Sequence, residues 1–203
     1  DQQASMVSLE TINHLSKLYP KGQIVCVLQG KIVGACLSRV VPYAIYSQAH
    51  TQWDCLDTFR FDQDTWFGDS LYGLGVSVDP EYQNLKLGKK LMGMQMQAAF
   101  QDNFSGVISS LRLANFPAYM YDMDSATYLQ KVKEGELLDR ALSFYLSNGA
   151  QFVNASPNFS PSNFASEGQG VVLSIPNPLY NPLRPIYPER AQALLKFEGQ
   201  QEL

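Results

Sequence analysis

Leu71 to Met96 reads LYGLGVSVDPEYQNLKLGKKLMGMQM, and in it a strand pattern runs directly into a glycine-containing turn that opens a helix. Leu74, Val76 and Val78 alternate with Gly75, Ser77 and Asp79, the period of two expected of a strand with one buried face, and Pro80 ends the run. From Leu87 the apolar residues switch to helical spacing. This places Leu87, Leu91, Met94 and Ala98 on one stripe and Lys89, Lys90, Gln95 and Gln97 elsewhere. The turn between the two is Gln83-Asn84-Leu85-Lys86-Leu87-Gly88. A helix N-terminus carries unpaired N–H donors and about half a unit of positive charge, so a tight turn that aims them at one point makes an anion site. Lys86, Lys89 and Lys90 add full charges there. The alternative is a structural turn with a solvated lysine face.

The rest of the chain supplies the frame for that junction. Its 203 residues fit one domain, because a chain of this size buries roughly 70% of its unfolded surface. The core is expected over about residues 8–175, with a proline-punctuated arm and a short helix over 176–203. Hydrophobic residues at 45% and charged residues at 17% argue against disorder. A formal net charge of −4 argues against nucleic acid as the main partner, since phosphate neutralisation calls for a basic surface. No apolar run approaches the ~20 residues of a membrane span. No signal-peptide pattern opens the chain, and Asp1-Gln2-Gln3 reads like the interior of a larger polypeptide, so the cytoplasm is the expected compartment. Cys26, Cys36 and Cys55 are odd in number and lack C-x-x-C spacing, which supports neither a disulfide framework nor a zinc site, and no metal is expected. Cys26 and Cys36 fall in strand-like runs and read as buried fillers. His14 and His50 are far apart, and His50 lies in an unusual loop.

Along the chain, Ser8 to Leu18 carries a helical stripe through Leu9, Ile12, Leu15 and Leu18, stopped by Pro20 and Gly22. Gln23 to Leu28 and Ile32 to Val41 read as a hairpin about Gln29-Gly30-Lys31. Pro42 to Ser70 mixes aromatics, among them Tyr43, Tyr46, Trp53, Phe59, Phe61, Trp66 and Phe67, with aspartates. It reads either as a cover over a cleft or as a structural extension or dimer contact. Gly106 to Leu113 is the next strand, Asn115 to Glu136 an insertion with a short helix near Ser125 to Lys133, and Leu137 to Ser147 a helix with Leu138, Ala141, Leu142 and Tyr145 at helical spacing. Asn148-Gly149 stops it, Gln151 to Val153 begins a strand, and Gly170 to Ile175 is another. A closing helix is expected over Glu189 to Phe197. The order helix, hairpin, strand, helix, strand, helix, strand is α/β with a mixed sheet.

Two segments carry a family resemblance. Gln83 to Gly88 resembles the coenzyme A motif of the GNAT (N-acetyltransferase-like) superfamily, which is Gln or Arg, two residues, Gly, one residue, then Gly or Ala. Gln83 and Gly88 match, and Lys86 stands where the family usually has its first glycine. Ala141, Phe144, Tyr145 and Gly149 match the superfamily's late-helix pattern at the expected distance, with Leu138 where the family often has Asn. The resemblance implies the GNAT fold, a mixed, mostly antiparallel sheet with two splayed central strands and flanking helices. It also implies acetyl-CoA or another acyl-CoA as cosubstrate, with the pantetheine arm between the splayed strands. Val76, Val78, Gln83, Asn84, Lys86, Leu87, Gly88, Lys89 and Lys90 would then contact the cofactor.

Acyl transfer from coenzyme A proceeds by attack of an amine on a thioester carbonyl, with a proton supplied to the departing thiolate. A tyrosine of pKa about 10 stays protonated at neutral pH and is available to donate, which makes Tyr145 the candidate general acid. A core aromatic with a bonded hydroxyl is the alternative. No residue is marked as the base; Asp69, Asp79, Glu81 and His50 lie near the right elements.

A narrower likeness, from about Tyr19 to Ile175, is to the GNAT-like domains of polyketide synthase loading modules and of nitrilase-fused relatives. It rests on Arg39, Ser109 to Arg112, Asp139 to Gly149 and Pro157-Asn158-Phe159 followed by Gly170-Val171. Those domains are associated with decarboxylation of malonyl-type thioesters and acyl loading of a carrier protein, using a threonine and a histidine. Here Ser109 stands at the threonine position and Tyr145 replaces the histidine. Three functions follow in order: acyl transfer to a small-molecule or carrier-protein acceptor, decarboxylation with loading, and a scaffold without catalysis. The aromatic and acidic Pro42–Ser70 segment suits a cationic amine, or equally a core or interface role.

Overall fold

The computed structural model describes residues 7–52, 54, 67–160 and 166–186. Helix α1 (Leu9–Leu18) is capped by the Ser8 hydroxyl, which accepts from Thr11 N–H. Strands β1 (Ile24–Leu28) and β2 (Lys31–Val41) form the expected hairpin, with Gln29 and Gly30 at φ of 51° and 79° supplying the left-handed turn. A single helical turn, α2 (Tyr43–Tyr46), follows, and then β3 (Ser70–Val78), α3 (Leu87–Gln101) and β4 (Gly106–Arg112). Helices α4 (Ser125–Glu134) and α5 (Arg140–Ser147) precede β5 (Gln151–Ser156) and β6 (Gly170–Pro176).

Among the described residues the sheet has six strands in the order β1-β2-β3-β4-β6-β5. Its one parallel pair, β3 with β4, is joined through α3, and the other pairs are antiparallel. One face of the sheet, with Leu71, Val107 and Leu173, packs on Met92 of α3, Tyr128 and Leu129 of α4, and Leu142 and Tyr145 of α5. The opposite face gathers Val41, Tyr46, Tyr72, Ile108, Phe159 and Val172.

Three sequence expectations are corrected. In α3 the buried face is Leu91, Met92, Gln95 and Ala99, while Met94 is 52% exposed. The stripe is rotated because Gln95, 1% exposed, turns inward and donates to Ser38 Oγ at 2.8 Å. In α5 the helix begins at Arg140, because the Asp139 carboxylate caps it by accepting from Leu142 N–H, and Leu138 lies outside, 68% exposed. In β3 the period of two breaks: Ser38 pairs with Gly73 and Leu37 with Gly75, so Leu74 is an extra residue, a β-bulge. Leu74 therefore packs with Tyr72 and Phe159 on one face, while Val76 and Val78 pack with Leu91 on the other.

Residues 177–186 run as turns held on the α3–β4 corner, where Asn103 Nδ2 donates to the carbonyls of Asn181 and Arg184 at 2.8 and 2.9 Å. The closing helix expected over Glu189–Phe197 and most of the aromatic segment, with Trp53, Cys55, Phe59, Phe61 and Trp66, lie outside the described residues. Cys36 is fully buried, and Cys26 is half-buried.

Candidate functional site

The site begins at the turn after β3. Asp79 opens the Pro80–Leu85 helical turn by accepting from Glu81 N–H, and it is paired with Lys31 at 3.0 Å. The turn ends at Lys86, whose φ of 57° and ψ of 23° are left-handed; this is the conformation a glycine would take without cost, reached here by a lysine. Lys86 contributes only its carbonyl to α3, accepting from Lys90 N–H at 3.2 Å, and no side chain caps the helix. The N–H groups of Leu87, Gly88 and Lys89 thus have no partner within the helix and carry its positive end outward. They open on a groove of about 500 Å³ lined by Val76, Val78, Gln83, Lys86, Gly88, Lys89 and Phe144, with Asn148 at its far wall. A Cβ at Gly88 would make only an ordinary contact with the Phe144 ring, at 3.5 Å. Of the other residues selected in the turn, Asn84 and Lys90 are exposed and Leu87 is half-buried, outside the groove lining.

The groove runs into a gap between strands. β3 and β4 pair only at Leu71–Val107, Tyr72–Ile108 and Gly73–Ser109. Beyond these, β4 stays with β6 as far as Arg112, while β3, turned by its bulge, stays with β2 as far as Val78. Asp79 N–H donates to Val33 of β2 at 2.9 Å, so strand alternation directs the main-chain groups of Ser77 to β2 and those of Val76 and Val78 into the gap. The Val78 carbonyl accordingly meets Gln83 Nε2 at 3.3 Å.

At the closed end of the gap stands Tyr145. Its side chain is 8% exposed and edge-on to Phe144 with ring centroids 5.6 Å apart. Burial pushes the phenol pKa above its ordinary value; the neighbouring Ser109 side chain opposes this by favouring the phenolate, and Cys36 adds a smaller upward push. Tyr145 is therefore protonated at neutral pH. Gly73 makes room for this arrangement: a Cβ there would fall 2.7 Å from Ser109 Oγ and 3.1 Å from Gln95 Nε2. The structure thus brings Val76, Val78, Gln83, Lys86, Gly88 and Lys89 around one groove, while Tyr145 and Ser109 are buried and not part of its lining.

Ser110, next along β4, points to the other face. A pocket of about 300 Å³ is lined by Tyr72, Leu74, Ser110 and Phe159 from this face and also by Gly73, Leu111 and Ala141 of α5. His50 is not in that lining but bonds two of its residues, its Nε2 lying 2.9 Å from Ser110 Oγ and 3.0 Å from Tyr72 Oη. Sequence reading left out Gln95, Tyr72 and Ser110. The adjacent serines at 109 and 110 were the available signal, since neighbouring residues of a strand face opposite sides of the sheet. Among the described residues no group of three or more His, Cys, Asp or Glu side chains is placed to hold a metal ion, and no helix is long and apolar enough to cross a membrane.

Comparison with known proteins places this architecture. The profile of the acetyltransferase (GNAT) family matches residues 4–121, more than half of the chain, and the chain belongs to that family. The probable hydrolase YhcX of Bacillus subtilis (strain 168) is 29% identical over 171 residues, 84% of this chain but only 33% of that protein. The chain thus spans about a third of YhcX. The uncharacterized N-acetyltransferase YkwB of the same organism is 25% identical over 164 residues, 81% of this chain and 72% of that one. Among solved structures, the loading GNATL domain of CurA from Lyngbya majuscula superposes with a TM-score of 0.69 at 27% identity, covering 84% of each chain. The GphF GNAT-like decarboxylase, solved in complex with isobutyryl-CoA, shares the fold at a TM-score of 0.63 and 22% identity, covering 83% of this chain and 85% of its own.

Proposed function

We propose that this protein transfers acetyl or another small acyl group from coenzyme A to an amine, carried by a small molecule or a carrier protein. One observation supports the reading most: the uncapped start of α3 opens on a groove walled by Val76, Val78 and Phe144, next to the point beyond Gly73 and Ser109 where β3 and β4 stop pairing. The N–H groups of Leu87 to Lys89, with Lys86 and Lys89, suit a diphosphate, and Gln83, Asn84 and Lys90 border the same turn. The main-chain groups of Val76 and Val78 suit the amides of a pantetheine arm and a thioester carbonyl.

Tyr145 supplies the proton to the sulfur as the carbon–sulfur bond breaks. A phenol above pKa 10 is a weaker acid than a thiol of about 8.5, so full transfer costs about 2 kcal/mol or more on the scale of free groups. The neighbouring Ser109 side chain, which favours the phenolate, offsets part of that cost. Replacing Tyr145 by Phe removes the proton and keeps the ring. Turnover is expected to fall about 10²-fold or more while acetyl-CoA affinity, measured by calorimetry, holds within about a factor of two. Equal loss of both would assign Tyr145 to packing.

Decarboxylation of a malonyl-type thioester with carrier loading is the second reading. The 27% identity to a loading domain and the place of Ser109 beside Tyr145 favour it. Carbon dioxide release from malonyl-CoA separates the two, and a chain that binds no acetyl-CoA would be a scaffold.

A further inference from the structure

The pocket lined by Tyr72, Gly73, Leu74 and Ser110, and by Ala141 of α5, meets the strands where β3 and β4 stop pairing. Behind its Ser110 and Tyr72 stands His50, a group that acyl transfer through Tyr145 leaves unused. His50 Nδ1 is 2.7 Å from the Gln48 carbonyl, which only accepts, so Nδ1 carries the hydrogen and Nε2 is the bare nitrogen. That nitrogen accepts from Ser110 Oγ and from Tyr72 Oη. Ser110, with its hydrogen turned to the imidazole, presents its lone pairs to the pocket. The loop is anchored there: His50 N–H donates to Ser156 Oγ at 3.0 Å, and the ring sits edge-on to Tyr46, Tyr72 and Phe159 at 5.6 to 6.1 Å.

We propose that Ser110 and His50 form the proton-accepting pair for the attacking amine. The inference rests on the acyltransferase reading. In the transfer the amine nitrogen bonds the thioester carbonyl carbon and the carbon–sulfur bond breaks. One amine proton passes to Ser110 Oγ as the serine proton passes to His50 Nε2, and the sulfur takes the Tyr145 proton. His50 then releases its proton to water and Tyr145 regains one, so the sum is amine plus thioester to amide plus thiol.

Burial keeps His50 neutral below its ordinary pKa of 6.5, against the opposing pull of the Gln48 carbonyl and the Asp54 charge. The other ionisable groups about it are Tyr46 on α2, Tyr72 on β3, and Arg39 on β2, whose guanidinium lies over the Tyr46 ring at 5.3 Å. The base is thus available throughout the neutral range.

The experiment uses ethylamine, which fits the pocket volume and reacts as its neutral form, with acetyl-CoA, following thiol release. His50→Gln and Ser110→Ala should each lower kcat at least about tenfold at pH 7 while acetyl-CoA affinity and thermal midpoint stay near wild type. The wild-type to His50→Gln rate ratio should fall toward one as pH drops through the lowered imidazole pKa, a change that a merely structural histidine would not produce. Wild-type kcat in both variants, or a ratio that does not change with pH, overturns the pair while leaving the acyltransferase reading standing. Failure of the wild type to bind acetyl-CoA, or to turn over above the spontaneous rate, overturns both.

Discussion

Lys86 shows how a single residue records a constraint. Its left-handed backbone costs an L-residue roughly 1–2 kcal/mol that glycine does not incur, yet the carbonyl it presents starts α3 and its side chain lines the groove. Lys86→Gly should therefore raise unfolding stability by about 1 kcal/mol, and Lys86→Ala, which keeps the strain, should not. Urea midpoints of the two variants check this, and equal midpoints would mean the strain is absent. In the same turn Gln83 and Gly88 were legible from sequence as motif positions. The conformation of Lys86 was not, because it is imposed by the strand and helix on either side. Buried Cys36 illustrates the opposite case: it was readable as a core residue from its strand pattern, and desolvation pushes its thiol pKa up to about 12.

Among elements, α5 bears most on the site because it carries Phe144 and Tyr145. Asp139, 1% exposed, fastens its start twice, with one carboxylate oxygen on Leu142 N–H at 3.1 Å and the other on the Tyr128 hydroxyl of α4 at 2.9 Å. Asp139→Ala removes the cap and strands a buried phenol, so a loss of roughly 2–4 kcal/mol is expected. Adding Tyr128→Phe, which removes the stranded hydroxyl, should recover part of it, and a double-mutant cycle by chemical denaturation reads the coupling. Strictly additive losses would show that the two groups do not interact. The spacing of Leu138, Ala141, Leu142 and Tyr145 located this helix but extended it too early, because periodicity does not reveal which polar residue turns back to cap. The same limit placed Met94 inside and Gln95 outside on α3, where a partner on β2 reverses them.

For the whole molecule, the pH dependence of stability divides into two windows. His50 is held neutral by burial, so between its depressed folded pKa and about 6.5 the unfolded chain binds more protons. Stability should decline as pH falls below about 6.5 and level off once the folded imidazole also titrates. Asp79, held low chiefly by its bond to Lys31, and Asp124, held low by Thr127 at the start of α4, lose their contribution only at more acid pH. Denaturation midpoints across pH 5 to 7.5 should thus show a slope that His50→Gln abolishes; an unchanged slope in that variant would place the titrating group elsewhere.

By itself the sequence determined the order of strands and helices, the hairpin turn, the stop at Asn148-Gly149, and the turn that opens α3. Each depends on residues a few positions apart, whose backbone preferences and spacing are written locally. Only the tertiary structure decided the bulge at Leu74, the parting of β3 from β4, the meeting of Tyr145 with Ser109, and the approach of His50 to a serine sixty positions away. Those features come from how strands compete for hydrogen-bond partners and how helices bury their faces, balances set by the assembled sheet.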